Sequence, residues 1–331
     1  MGKIKKKLWF AGALCLGLLF SGMAFAQTEA QQEGRDRGQF SGDFQTNVRF
    51  YQRDSLRGAA GIPFYDYLLY GVDSWLTVNF RVAGFDMGIR FDMFHNSNLF
   101  NPTREASKQG IGRWYIAKSI GKLDLAAGYL YDQFGSGTTF RAYEARLLGV
   151  DQSVLGVKAA YHLTPNWTIR GFTGKLKNQF KLDDIELYRP ILRGACIEGL
   201  VKLNTNAQIQ PGISAVSRTL DTKTMESVAQ EINSYKLEDR FEPKYSTYLA
   251  SVYNTLLVKN ISWYVEGAFK TEDVVRDLTG KLFNPNRGYV LYSTATYSKK
   301  GFGLVLQGKY TSKFDFRIAP SEIQNAGLVH F

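Results

Sequence analysis

No run of about 20 apolar residues occurs anywhere in the 331-residue chain, so it contains no helix of the kind that crosses a bilayer. Cysteine is nearly absent. Cys15 and Cys196 are the only two, and Cys15 falls in the segment read below as a cleaved leader, so a disulfide framework is excluded. The three histidines, His95, His162 and His330, are far apart, and none has a second ligand at i+2 or i+4. No metal and no cofactor are expected. No Lys/Arg-rich run marks a nucleic-acid surface, so nucleic acid is not an expected partner. Proline is scarce, at eight residues against 32 glycines, and aromatic residues reach 14%. That composition excludes disorder and fits β-structure with many tight turns.

The N-terminus has the layout of a secretory signal peptide. Lys3, Lys5, Lys6 and Lys7 precede an apolar stretch from Leu8 to Phe20, and Ala24-Phe25-Ala26 supplies a small-x-small cleavage site. A lipoprotein reading needs a small residue before Cys15, where Leu14 stands. Removing residues 1–26 leaves 37 Lys and Arg against 30 Asp and Glu, a net charge of +7. Residues 27–37 are polar and read as a flexible periplasmic tail.

From residue 38 to 331 one pattern recurs: segments of about ten residues that alternate apolar and polar. Phe40, Gly42, Phe44, Thr46, Val48 and Phe50 share one face of the first. Asp43, Gln45, Asn47 and Arg49 share the other. Leu76, Val78 and Phe80 repeat the apolar face, as do Phe85, Met87, Ile89 and Phe91. Leu123, Leu125, Ala127, Tyr129 and Tyr131 do so later. The connections alternate strictly between long and short, with short ones at Ala83-Gly84, Gly121, Thr164-Pro165, Asn204-Thr205, Lys259-Asn260 and Lys299-Lys300. A soluble sandwich has no reason to sort its loops this way, whereas a barrel with periplasmic turns and outer loops does. The expectation is an all-β transmembrane antiparallel up-and-down β-barrel in the outer membrane. Thirteen strands run to Thr311, and residues 322–331 make the count about 14. Phe331 is a terminal aromatic of the kind the barrel-assembly machinery recognises. That machinery, outer-membrane lipid and other outer-membrane proteins are the expected partners.

A hairpin at Ala83-Gly84 places Arg81 opposite Asp86, Asn79 opposite Gly88 and Thr77 opposite Arg90. Asp43, Arg49, Asp73, Arg81, Asp86, Arg90 and Asp92 then line the inner wall of three successive strands. They make either a charged constriction that selects solutes or a salt-bridged network filling a modest barrel. Trp75, Phe94, Phe172 and Tyr264 point inward by the same alternation and, with the long loops, can fill the interior. Met225, Val228, Ile232 and Tyr235 recur at helical spacing after Asp221 and Thr224, which predicts a short amphipathic helix in the longest outer loop.

Gly42-Asp43-Phe44-Gln45, Arg90-Phe91-Asp92, Gly110-Ile111-Gly112-Arg113-Trp114-Tyr115, Gly128-Tyr129-Leu130-Tyr131-Asp132-Gln133-Phe134-Gly135-Ser136-Gly137 and Phe140-Arg141-Ala142-Tyr143-Glu144-Ala145-Arg146 are distinctive strings. Together they resemble an uncharacterised family of outer-membrane barrels from Bacteroidota. The resemblance runs from about residue 40 to the end and implies the location, with no functional residue to carry over. Members of that family continue past the point where this chain stops, so a C-terminal truncation is also expected.

Catalytic patterns are thin. His95, Asn96 and Ser97 are adjacent, and alternation turns neighbouring side chains to opposite sides. Gly135-Ser136-Gly137 lacks the first glycine of a nucleophile elbow. No enzyme activity is expected. The leading functional expectation is a channel for a solute or ligand, and the alternative is a non-conducting scaffold in an outer-membrane assembly or secretion complex.

Overall fold

A computed structural model describes residues 38–100, 105–178, 187–277 and 279–320. The expected signal segment, the tail 27–37, His330, Phe331 and the expected last pass at 322–331 lie outside these residues. The main sheet contains β1 (Gln39–Phe50), β2 (Tyr70–Val82), β3 (Phe85–Ser97), β4 (Ala106–Ile120), β5 (Leu123–Leu130), β6 (Val154–Thr164) and β7 (Trp167–Leu176). It continues with β8 (Ile191–Gly199), β9 (Val201–Asn204), β10 (Ala207–Thr219), β11 (Ser246–Val258), β12 (Ile261–Lys270), β13 (Gly288–Lys299) and β14 (Phe302–Ser312). Apart from β8 and β9, sequence neighbours are sheet neighbours, and every pairing is antiparallel. β9 continues β8 and shares its partner β10, so the described strands make thirteen passes.

The short turns set the register. Ala83 and Gly84 both have positive φ, 51° and 74°, the geometry of a type I′ turn that matches strand twist. Arg81 therefore faces Asp86, Asn79 faces Gly88 and Thr77 faces Arg90, as the sequence predicts. The faces also sort as predicted in these strands. Phe40, Phe44 and Val48 are more than half exposed, while Asp73 and Trp75 on the opposite face are buried.

Alternation fails at the end of β5. Tyr129 and Tyr131, expected outside with Leu125, are drawn to the polar side. Tyr129 is buried beneath the Lys177 ammonium, 5.3 Å from its ring centre, and the Tyr131 hydroxyl donates to Asp151 at 2.8 Å. The cause is Gly128, whose φ of 112° is closed to L side chains. A Cβ there would lie 2.4 Å from the Trp114 carbonyl oxygen.

The sheet curls with its polar face inside. Ser136 bonds Glu266 on β12, and Glu144 bonds Arg90 on β3. In a flat sheet those strands would stand about 38 Å apart. The eight-residue step from Ser136 to Glu144 reaches at most about 28 Å fully extended, and it is not extended, because Phe140–Ala142 folds back to pair with Asp132–Phe134. β1 and β14 each pair on one side only among the described residues. The expected count of about 14 passes is thus not reached within them, and the seam of a closed barrel is not among the described pairings.

The predicted helix is present as α1 (Thr222–Asn233). Asp221 caps it by accepting from the Thr224 backbone N–H at 3.3 Å. Its buried Val228 and Ile232 pack on Val274 and Leu282 in the next long loop. Arg276 of that loop clamps Glu231 with bonds of 2.9 and 2.7 Å.

Candidate functional site

The loop 131–153 lies folded against the concave polar face, and the site is built where the two meet. Of the seven wall residues singled out in the sequence, six form three ion pairs. Arg49 pairs with Asp73, which also accepts from Ser97. Arg81 pairs with Asp86 at 3.3 Å, both partly exposed. Arg90, only 3% exposed, holds Asp92 in a fork of 2.6 and 3.0 Å. Asp43 is exposed on the edge strand β1, with no ion-pair partner among the described residues.

Alternation could not reveal the partners that the loop contributes. Glu144 bonds Arg90, and Asp151 lies 3.6 Å from it. Lys177, just past β7, bonds both Asp151 at 2.5 Å and the Gly112 carbonyl at 2.9 Å. Burial pushes the Asp151 carboxyl up, but the Lys177 ammonium and the donors from Lys177 and Tyr131 outweigh it and hold it below the ordinary carboxylate range. Burial, reinforced by Asp151, raises the Tyr131 hydroxyl. A second cluster ties Asp132 of the loop to Arg170 at 2.5 Å and to Lys158 at 3.3 Å, and Arg170 also bonds Glu198.

Two further contacts fasten the loop. Glu266 on β12 is buried and accepts from the Ser136 backbone N–H at 3.1 Å, from the Ser136 hydroxyl and from the Tyr264 hydroxyl at 2.6 Å. Beside it, Phe134 and Phe140 enter an apolar cluster with Phe172, Leu192 and Leu249, where the Phe140 and Phe172 rings stack at 4.1 Å. Phe316 and Ile318, beyond β14, join the same cluster. The inward aromatics expected from alternation are therefore packed: Trp75 against Phe94 at 6.0 Å, Phe172 in this cluster, and Tyr264 on Glu266. Nearer the short turns the face stays open as a polar cavity of about 700 Å³, lined by His162, Thr168, Arg170, Glu198 and Gln210 among others.

The histidines do not assemble a nucleophile with a base at His95. The Tyr70 hydroxyl sits 3.1 Å from His95 Nε2, while Ser97 turns to Asp73. His162 bridges Asp124 at 2.8 Å and Thr168 at 3.1 Å on the rim of the polar cavity, with its side chain and that of Asp124 about half exposed.

A curled antiparallel sheet with one apolar and one charged face, and a loop strapped across the charged face, defines the class. The chain belongs to a family of unknown function (DUF6029), whose model matches residues 5–331. No curated protein matches it. Among solved structures it is similar to OccAB2 of Acinetobacter baumannii (11% identity, TM-score 0.40, 84% of this chain and 82% of that one). It is also similar to Pseudomonas aeruginosa OpdK solved with vanillate (10%, 0.42, 84% and 82%) and to a BenF-like porin from Pseudomonas fluorescens Pf-5 (9%, 0.40, 84% and 83%).

Proposed function

We propose that the protein is an integral outer-membrane β-barrel that passes small polar solutes along its charged concave face, past the folded-in loop 131–153. The carrying observation is the sorting of its two faces. Phe44, Val157, Ile213, Val252, Leu291 and Leu306 are each more than half exposed on the outward face, while the paired charges lie on the other. An outward apolar surface running across that many strands exceeds what a water-soluble monomer leaves bare, and lipid is the solvent that suits it. Exposed aromatics gather at both ends of the strands: Phe50, Tyr248 and Tyr289 at the long-loop end, Tyr161, Trp263 and Phe302 at the short-turn end. This is the arrangement of interfacial girdles.

The signal segment delivers the chain to the periplasm and the assembly machinery inserts it, as the N-terminus and the resemblance to Bacteroidota barrels suggest. β1 and β14 run in the same direction, so an antiparallel closure needs one further pass, the role expected of residues 322–331. The seven wall residues line the lumen in this reading. Purified protein in planar bilayers tests it, with Arg81→Ala expected to shift ion selectivity, because Arg81 is exposed on the wall. Recovery in the soluble periplasmic fraction without detergent would contradict the membrane reading.

One observation favours a second reading. The apolar cluster around Phe134, Phe140 and Phe172 fills part of the concave face toward the long-loop end, as a non-conducting scaffold would. Silence in bilayers together with stable co-purification of another outer-membrane component would select it.

A further inference from the structure

A second cavity, of about 210 Å³, opens on the polar face between β2, β3 and β4. It is lined by Thr77, Asn79, Arg90, Arg113, Tyr115 and Arg146, with Gly88 and Ile89. Three guanidinium groups therefore border a space of about seven water volumes. Two of them are already matched. Arg90 is held by Asp92 and Glu144, and Arg146 by Glu144 at 3.3 Å. Arg113 is different. It has no carboxylate partner among the described residues, and its Nε is buried without a hydrogen-bond partner. Its guanidinium lies between two aromatic rings, 5.0 Å from the centre of Tyr115 and 4.7 Å from that of Tyr131. The Thr77 hydroxyl, lining the same cavity, is also buried without a partner.

Arg90, Arg113, Arg146 and Lys177 face Asp92, Glu144 and Asp151, while Arg81 and Asp86 neutralise each other next to them. Among the described residues, Arg113 is the cation of this set without an ion pair. The buried Arg113 Nε and the buried Thr77 hydroxyl, left without partners, are costly unless something outside the chain completes them. Contact with two tyrosine rings restrains the guanidinium and so limits the directions in which its planar N–H fork can point. A planar fork without a carboxylate partner of its own matches a carboxylate.

We infer that this cavity is a binding site for a small organic monocarboxylate, gripped by the Arg113 fork and by the hydroxyl of Thr77, with Asn79 and Tyr115 bounding the remainder. The inference rests on the channel reading for its purpose, since it names the solute class that the wall would select. It does not depend on conductance for its test. Nothing in the network needs to be broken for the ligand to bind, because Arg113 is the group the existing ion pairs leave over.

The test is calorimetric titration of detergent-purified full-length protein with acetate, with acetamide as the uncharged probe of the same shape. Acetate should bind saturably and acetamide should not. Arg113→Gln should weaken acetate about ten- to a hundredfold, the range of a lost charge-assisted hydrogen bond. Thr77→Val should weaken it less, and Arg113→Lys should fall between wild type and Arg113→Gln. Arg57→Gln, on a distant exposed turn, should leave it unchanged. Heat-modifiable electrophoresis checks that each variant is folded. If Arg113→Gln does not fold, Arg113→Lys and Thr77→Val carry the test. Equal affinity for acetate and acetamide, no saturable acetate binding, or equal losses in Arg113→Gln and Arg57→Gln would overturn the site. Conductance without acetate binding removes the site and leaves the channel. Acetate binding by a protein silent in bilayers removes the channel and leaves the site.

Discussion

At the scale of single residues, the wall arginines look alike in the sequence and differ sharply in the structure. Arg81 and Asp86 pair at 3.3 Å with most of the arginine in solvent, whereas Arg90 is 3% exposed and binds Asp92 and Glu144. An exposed pair is worth about 0–1 kcal/mol. Removing one partner of a buried network leaves uncompensated charge and costs about 3–5 kcal/mol. Arg81→Ala should therefore leave the urea midpoint of the detergent-refolded protein nearly unchanged, while Arg90→Ala should lower it strongly. Equal midpoints would show that the loop acids do not depend on Arg90. Gly128 makes a second residue-scale case. Gly128→Ala forces φ of 112° and a clash with the Trp114 carbonyl, so it should cost at least about 1–3 kcal/mol in the same assay. The hairpin partners were legible because a two-residue turn fixes the register. Glu144, Asp151 and Lys177 were not, since they reach the wall from the long connection 131–153 and from just past β7, where the alternation of the main strands says nothing about direction.

At the scale of elements, α1 was readable from its cap and its apolar spacing, and the structure adds what it packs on. Burial opposes ionisation of both Asp221 and Glu231, yet Thr224 holds the Asp221 carboxyl below its ordinary value of 3.8, and Arg276 with Tyr235 holds that of Glu231 below 4.5. An acid with a depressed value stabilises the folded form above its ordinary value, and the contribution is lost as pH falls through the depressed one. The packing of α1 on the 271–287 loop should therefore be tight at pH 6 and loosen below about pH 4. A spin label at exposed Lys223→Cys reads this as mobility that rises on acidification. Arg276→Gln should move the transition to higher pH, and mobility independent of pH would contradict the assignment. The loop 131–153 is the other decisive element. Glu266→Gln keeps the shape and removes the charge that Ser136 and Tyr264 address, so hydrogen exchange of residues 134–140 should accelerate. Unchanged exchange would mean that the aromatic cluster alone holds the loop. Nothing around Gly135-Ser136-Gly137 in the sequence points to Glu266, because this docking partner is 130 residues away, beyond any local pattern.

At the scale of the molecule, the alternation of long and short connections carried most of the architecture: antiparallel pairing in sequence order, an apolar outer face and a charged inner one. What it could not carry was how much of the interior is filled. The strands alone suggest an open charged wall. The loop then brings Phe134 and Phe140 onto Phe172, and the segment after β14 adds Phe316 and Ile318, so part of the concave face becomes core. A cavity of about 700 Å³ stays open near the short turns, and in the proposed channel it and the charged clusters form the path for solute. Single-channel recording in planar bilayers, comparing the full-length protein with a variant lacking residues 135–139, tests this most directly. The wild type is predicted to open in small, discrete steps and the shortened variant in larger ones, because the loop narrows the path. Silence of both proteins, each shown to be folded by its heat-modifiable mobility, would contradict the channel.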